Sequence, residues 1–327
     1  MSEARMRPDT ETAERAAALR SDSSRAGVSA APSSASDSAL RLVSPWIRAF
    51  RPLQWTKNLL LFAGLIFAQR YGDAASWVEA IVIFVAYCAA SSASYLLNDV
   101  VDAERDRAHP VKASRPIAAG AIAPRAALAV AGLLLGVALA LAAALGWASA
   151  GLLVAFVGIQ AAYSLGLKHL VIIDVSAIAL LFVVRAAAGA VAIDVRLSPW
   201  LVLCSGLLAL FLALAKRRAE LAVSGTDHSA RRPALGSYSL PLLDQLIAIV
   251  AAATISAYSL YTFTATDSSA MMLTILFVVF GLFRYLQLAH APAPSGEEPE
   301  RTLASDLPLL VTIALWGISA ALILALD

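Results

Sequence analysis

An all-α integral membrane protein is the fold class this sequence predicts, and three observations predict it. Apolar residues make up 60% of the 327 residues and charged residues 15%, and the mean hydropathy is +0.74, outside the range of a soluble domain. From Trp46 onward, apolar runs long enough to cross about 30 Å of hydrocarbon alternate with short polar connections. Lysine and arginine gather in every second connection, the charge asymmetry that orients a multi-pass protein.

Residues 1–44 come first and are read as a separate cytoplasmic tail. They are rich in Ala, Ser, Arg and acidic side chains and have no periodic apolar face, so they cannot bury enough surface to fold. Glu3, Asp9, Glu11, Glu14 and Asp22 argue against a transit peptide, and no apolar stretch marks a secretory signal. The membrane domain then occupies 45–327.

Nine crossings are expected, at about 53–69, 76–97, 125–145, 148–166, 171–192, 198–215, 241–263, 269–288 and 307–326. They must be helices, because lipid leaves no partner for open backbone groups and the runs are too long for barrel strands. Small-residue stretches such as Ala138–Ala144 and Ala186–Ala190 suit close helix packing. Connections after the second, fourth, sixth and eighth crossings hold Arg105, Arg107, Lys112, Arg115, Lys168, Lys216, Arg217, Arg218, Arg231, Arg232 and Arg301. The opposite loops hold only Arg70 and Arg196. The amino terminus and the basic loops are therefore expected in the cytoplasm.

Charge and cysteine usage exclude several classes. A net charge of +2 gives no case for nucleic-acid binding. Cys88 and Cys204 lie inside apolar runs and read as packing thiols, and the four histidines lack metal-ligand spacing. No glycine-rich phosphate loop follows a strand and no serine nucleophile motif is present.

The chemistry concentrates at the end of the second crossing. In a continuous helix, Asn98, Asp102, Asp106 and Asp99 fall at roughly 0°, 40°, 80° and 100°, with Glu104 pointing away. Mg²⁺ takes one or two carboxylates from protein and the rest from water and substrate phosphates, so this arc reads as a metal site for a diphosphate. A solvated acidic helix end is the alternative. The basic loop that follows, with Lys112 and Arg115, suits the other edge of such a diphosphate, or serves as an ordinary cytoplasmic anchor.

A second group comprises Tyr163, Lys168, Asp174 and Arg185. Asp174 and Arg185 lie about 20° apart on a helical wheel and roughly 16 Å apart along the axis. An arginine that deep is a candidate functional residue. A structural pairing with Asp174 or a helix carbonyl is the alternative. Lys216-Arg217-Arg218, Tyr238 and the pair Lys57-Asn58 divide in the same way between phosphate binding and interfacial anchoring.

Asn98-Asp-x-x-Asp102-x-x-x-Asp106, with Tyr163-Ser-x-x-Leu167-Lys168 and Asp174, resembles the UbiA-type intramembrane prenyltransferase superfamily. Arg51-Pro52-x-Gln54-Trp55-x-Lys57-Asn58, the run from Asp106 through His109-Pro110 to Gly120, Lys216-Arg217-x-Ala219-Glu220-Leu221 and Leu235-Gly236-Ser237-Tyr238 are similar to its decaprenyl-phosphate phosphoribosyltransferase branch. The resemblance implies a nine-transmembrane-helix bundle with a cytoplasm-facing catalytic cavity in a bacterial plasma membrane. There, 5-phosphoribose passes from phosphoribosyl pyrophosphate to a polyprenyl phosphate in cell-wall arabinan precursor synthesis. It implies Mg²⁺ on Asn98, Asp99, Asp102 and Asp106, catalytic roles for Asp102, Asp106 and Asp174, and substrate contacts from Lys57, Asn58, Lys112, Arg115, Tyr163, Lys168, Arg185, Arg217 and Tyr238. An aromatic-acceptor enzyme of the same fold and a secondary transporter are the rival readings, and homo-oligomerisation is left open.

Overall fold

The computed structural model describes residues 45–108, 112–224, 233–265, 269–290 and 305–326. The expected tail over 1–44 lies outside the described residues, as do His109, His228, Arg231, Arg232 and Arg301. Among the described residues the regular structure is helical: α1 (Pro45–Phe50), a 3₁₀ helix (Pro52–Phe62), α2 (Ala63–Phe67), α3 (Ala74–Val101), α4 (Ala103–Arg107), α5 (Pro124–Ala144), α6 (Trp147–Leu165), α7 (Ile173–Ala192), α8 (Pro199–Ser224), α9 (Leu240–Thr264), α10 (Ile275–Ala289) and α11 (Leu307–Leu326). Eight helical segments are long and apolar enough to cross a membrane, making this a multi-pass membrane protein.

The expected first crossing is mostly a 3₁₀ helix, whereas the crossing at Ser269–Ala289 has only a 3₁₀ first part, Ser269–Thr274. Residues 52–62 wind as a 3₁₀ helix and only 63–67 as an α-helix. At about 2.0 Å of rise per residue for the first part and 1.5 Å for the second, the pair spans roughly 30 Å, the hydrocarbon thickness. Sixteen residues thus reach as far as twenty in an α-helix.

Close backbone contact explains why this segment fits. A Cβ added to Gly189 on α7 would collide with the Leu61 carbonyl, and one added to Gly64 would lie 3.0 Å from the Ala190 Cα. Glycine at both contacts lets α7 and the first crossing touch backbone to backbone. The first crossing also lies along α3, where Arg51 meets Asp99, Trp55 Nε1 donates to Ser92 Oγ at 3.0 Å and Asn58 meets Cys88.

Helices α3 and α7 form the interior. In each, 61% of the best membrane-crossing window is buried, against 22–33% for the other spans, whose apolar residues face lipid. One apolar cluster joins the first crossing with α3, α5, α6 and α7. A second joins α7 through Val175 with α8, α9, α10 and α11. Successive crossings alternate in direction, so the carboxyl ends of α3, α6, α8 and α10 share one end of the bundle with the amino ends of α5, α7, α9 and α11. All three charged motifs fall at that end.

Candidate active site

The first motif sits where α3 stops. Val101 is the last residue of α3, and Asp102 occupies a bent position (φ −89°, ψ 2°) before α4 begins. The Asp102 amide donates to the Asn98 carbonyl at 2.9 Å and the Asp106 amide to the Asp102 carbonyl at 2.8 Å, so the four-residue spacing survives the bend. Asn98, Asp102 and Asp106 therefore remain on successive turns. Asp102 is the most open of the carboxylates, its side chain 30% exposed and 3.5 Å from Arg105.

Asp99, expected as a supporting metal ligand, is held by two arginines. Its side chain is 3% exposed, and Oδ1 accepts from Arg51 at 2.6 Å and from Arg115 at 3.2 Å. Arg115 also donates to Asp106 Oδ2 at 2.7 Å. Because Asp99 points into the bundle, two arginines neutralise it, and Arg115 folds the basic loop back over the carboxylates. Among the described residues no three His, Cys, Asp or Glu side chains form a ready metal cage. The donor chemistry still fits Mg²⁺, which needs few protein ligands: the Asn98 side chain and Asp106 Oδ1 have no hydrogen bond within the described residues, and Asp102 is the partly exposed carboxylate.

Arg51 is a site residue that sequence reasoning did not single out. It holds a left-handed backbone conformation (φ 53°), ahead of Pro52 and capping the 3₁₀ helix. A non-glycine residue in that conformation carries strain. Here it places the guanidinium on Asp99 and 4.9 Å from the Tyr95 ring centroid. Nothing local ties Arg51 to a carboxylate 48 positions later.

The second motif closes around Asp174, in the first turn of α7, where a helix amino end favours a carboxylate. Asp174 is 1% exposed. Oδ2 lies 3.0 Å from Arg217 Nε and Oδ1 accepts from the Tyr238 hydroxyl at 2.8 Å. Tyr238 in turn accepts from the Ile172 amide at 2.7 Å, bracing Ile172 in a positive-φ conformation (69°) that a β-branched residue rarely adopts. Burial foremost, with the Asp174 carboxylate adding to it, pushes the Tyr238 hydroxyl up to about 12, so it is a neutral donor near pH 7.

Helix α8 runs nine residues beyond its expected end at 215, which puts Arg217 and Glu220 on one face, where they form an ion pair. Glu220 belongs to the Lys216–Leu221 motif, and its three-residue spacing from Arg217 is the signal for the pairing. Tyr163, at the end of α6, lies within electrostatic reach of Arg217. Lys168, in the turn Leu167–His169, has no hydrogen-bond or charged partner among the described residues.

Asn58 and Arg185 meet far from both rims. Asn58 is fully buried, donates to Cys88 Sγ at 3.3 Å and accepts from Arg185 Nε at 2.8 Å. Of the two alternative pairings for Arg185, the salt bridge to Asp174 does not form, since Asp174 is held by Arg217 and Tyr238, whereas the helix carbonyl is met at Leu181, 3.2 Å away. Lys57 Nζ donates to Gln54 Oε1 at 2.7 Å. Lys112 is exposed at the start of the turn that carries Arg115.

Three comparisons bear on this arrangement. The chain is 35% identical over 295 residues to the decaprenyl-phosphate phosphoribosyltransferase of Mycolicibacterium smegmatis, covering 84% of this chain and 91% of that one. It is 32% identical over 289 residues to the enzyme of the same name from Corynebacterium glutamicum, covering 84% and 85%. Its fold matches the structure of a UbiA homologue from Archaeoglobus fulgidus bound to DMAPP and Mg²⁺, with a TM-score of 0.66, 17% identity, and coverage of 87% of this chain and all of that one. The model of the UbiA prenyltransferase family matches residues 59–299, well over half of the sequence. The chain belongs to the UbiA prenyltransferase family.

Proposed function

We propose that this protein transfers 5-phosphoribose from phosphoribosyl pyrophosphate to decaprenyl phosphate or a close polyprenyl homologue, releasing pyrophosphate. The observation that carries the reading is the near full-length identity to phosphoribosyltransferases of that name, at 35% and 32%. The aromatic-acceptor alternative is not favoured by these relatives. The arrangement of charge supports the reading, because a phosphorylated acceptor and a diphosphate donor demand many cations at one end of the bundle.

In the proposed reaction an acceptor phosphate oxygen forms a bond to C1 of the sugar, and the C1–oxygen bond to pyrophosphate breaks with its electron pair leaving on the diphosphate. A phosphate monoester is already largely dianionic near pH 7, so no general base is needed. Catalysis then rests on positioning and on charges aimed at the leaving group. Asn98, Asp102 and Asp106 would hold Mg²⁺, which supplies charge neutralisation for the diphosphate. Lys112, Lys168 and Arg115 serve its outer oxygens, with Arg115 exchanging carboxylate for phosphate partners. Asp174, Arg217, Tyr163 and Tyr238 form the opposite wall, and Lys57 the approach to it. The basic end of the bundle lies in the cytoplasm.

The test is incubation of purified protein with labelled phosphoribosyl pyrophosphate, decaprenyl phosphate and Mg²⁺, with mass spectrometry of the lipid product. A phosphoribosylated lipid is the expected result. Its absence, with an aromatic substrate prenylated instead, would replace this reading.

A further inference from the structure

Arg185 carries its charge into the bundle interior with no carboxylate beside it. It is 5% exposed, and besides Asn58 it donates only to the Leu181 carbonyl, at 3.2 Å. Its guanidinium lies 4.7 Å from the Phe156 ring centroid and 5.2 Å from that of Phe182. Asp99 and Asp106 are held by Arg51 and Arg115, and Asp174 by Arg217. A buried cation without a counter-charge is strongly disfavoured in a membrane interior unless something supplies one.

Two buried hydroxyls on α3 also lack a partner among the described residues. Tyr87 is 0% exposed and Ser91 2% exposed, and neither oxygen makes a hydrogen bond within the described residues. Buried hydroxyls are rarely left so. Tyr87, Ser91 and Tyr95 lie on successive turns of α3, and Arg185 is within electrostatic reach of Tyr87 and Tyr95, which bracket Ser91. The Tyr87 ring also packs on Phe156, 4.9 Å between centroids, beside the guanidinium. The Tyr87 and Ser91 hydroxyls thus share one stripe of α3, and Arg185 of α7 lies within electrostatic reach of the tyrosines on either side of Ser91.

We infer that Arg185, Tyr87 and Ser91 form a binding site for a phosphate monoester inside the bundle, with Asn58 positioning the guanidinium. A planar carboxylate would be satisfied by the guanidinium fork alone, whereas the additional hydroxyls match the further oxygens of a tetrahedral phosphate. The phosphate is that of the acceptor lipid or the 5-phosphate of the donor sugar. That choice of occupants rests on the transferase reading, while the existence of the site rests on geometry.

The experiment uses the full chain in detergent and measures equilibrium binding of labelled farnesyl phosphate and of ribose 5-phosphate. Wild type is compared with Tyr87→Phe, Ser91→Ala and Arg185→Gln, with melting temperatures recorded. Tyr87→Phe and Ser91→Ala are expected to weaken binding of one ligand about tenfold each while melting near wild type, and Arg185→Gln to weaken it further. Loss confined to farnesyl phosphate assigns the site to the acceptor, and loss confined to ribose 5-phosphate assigns it to the donor. Unchanged affinity for both ligands in folded Tyr87→Phe and Ser91→Ala, or no binding of either by wild type, overturns the site. Because binding is read without turnover, a wild-type protein that binds phosphate here yet makes no phosphoribosylated lipid overturns the transferase reading and not the site.

Discussion

Arg217 and Asp174 meet at 3.0 Å with each side chain 2% exposed, joining α8 to the first turn of α7. Removing one partner of such a pair leaves the other buried and charged, which costs about 3–5 kcal/mol. Arg217→Ala is therefore expected to lower the melting temperature sharply, and Arg217→Met with Asp174→Asn to recover much of the loss. Thermal unfolding in detergent measures both, and an Arg217→Ala protein that melts like wild type would deny the pair any structural weight.

Asp102 and Asp106 should separate chemistry from stability. Each change to Ala is expected to cut kcat by about two orders of magnitude or more, since both residues act on charge developing at the leaving diphosphate. Asp102, with its side chain 30% exposed, should leave the melting temperature unchanged. Asp106→Ala should lower it, because Arg115 loses its 2.7 Å partner. Steady-state kinetics beside thermal melts read the contrast, and near-normal kcat in both variants at saturating Mg²⁺ would remove them from the catalytic machinery.

Gly189→Ala tests the backbone contact between α7 and the first crossing. The added methyl would collide with the Leu61 carbonyl, a neighbour that cannot rotate away. Overpacking of this kind costs about 1–3 kcal/mol. The variant is expected to melt earlier, whereas Gly132→Ala on α5, where an added methyl meets nothing within 4 Å, should not.

Tyr238 sets a pH dependence. Its hydroxyl is raised from 10.0 to about 12 in the folded protein, so the contribution is complete below pH 10 and is lost as pH rises through about 12. Wild type is expected to lose stability more steeply than Tyr238→Phe across that window. Parallel pH titrations of melting temperature that run side by side from pH 9 to 12 would contradict it.

The membrane class and most spans were legible because hydropathy and length decide them alone: α5, α6 and α9 start within a residue of their expected positions. The first crossing was legible as apolar but not as 3₁₀, and the backbone it packs against, at Gly189 and Ala190, lies more than a hundred residues away. The motif spacing that marked Asn98, Asp102 and Asp106 is local and survives in the fold. Which carboxylates would be neutralised was not legible, because Arg51 reaches Asp99 across 48 positions and Arg217 reaches Asp174 across a helix hairpin. Arg185 stood out by depth and Asn58 by its motif, but their pairing across 127 positions was not legible, and Tyr87 is an ordinary residue in an apolar run until packing brings it near.

The 3₁₀ winding of Pro52–Phe62 works as a ruler against α3. Arg51 reaches Asp99, Trp55 reaches Ser92 and Asn58 reaches Cys88, so seven residues on one strand of contacts must cover eleven on the other. Eleven α-helical steps advance about 16.5 Å, and seven steps advance about 14 Å as 3₁₀ but only about 10.5 Å as α. Side chains can absorb the first mismatch and not the second. The stretched pitch lets one short segment meet the rim carboxylate through Arg51 and set Asn58 beside Arg185 at mid-depth, so a single rod registers both contacts.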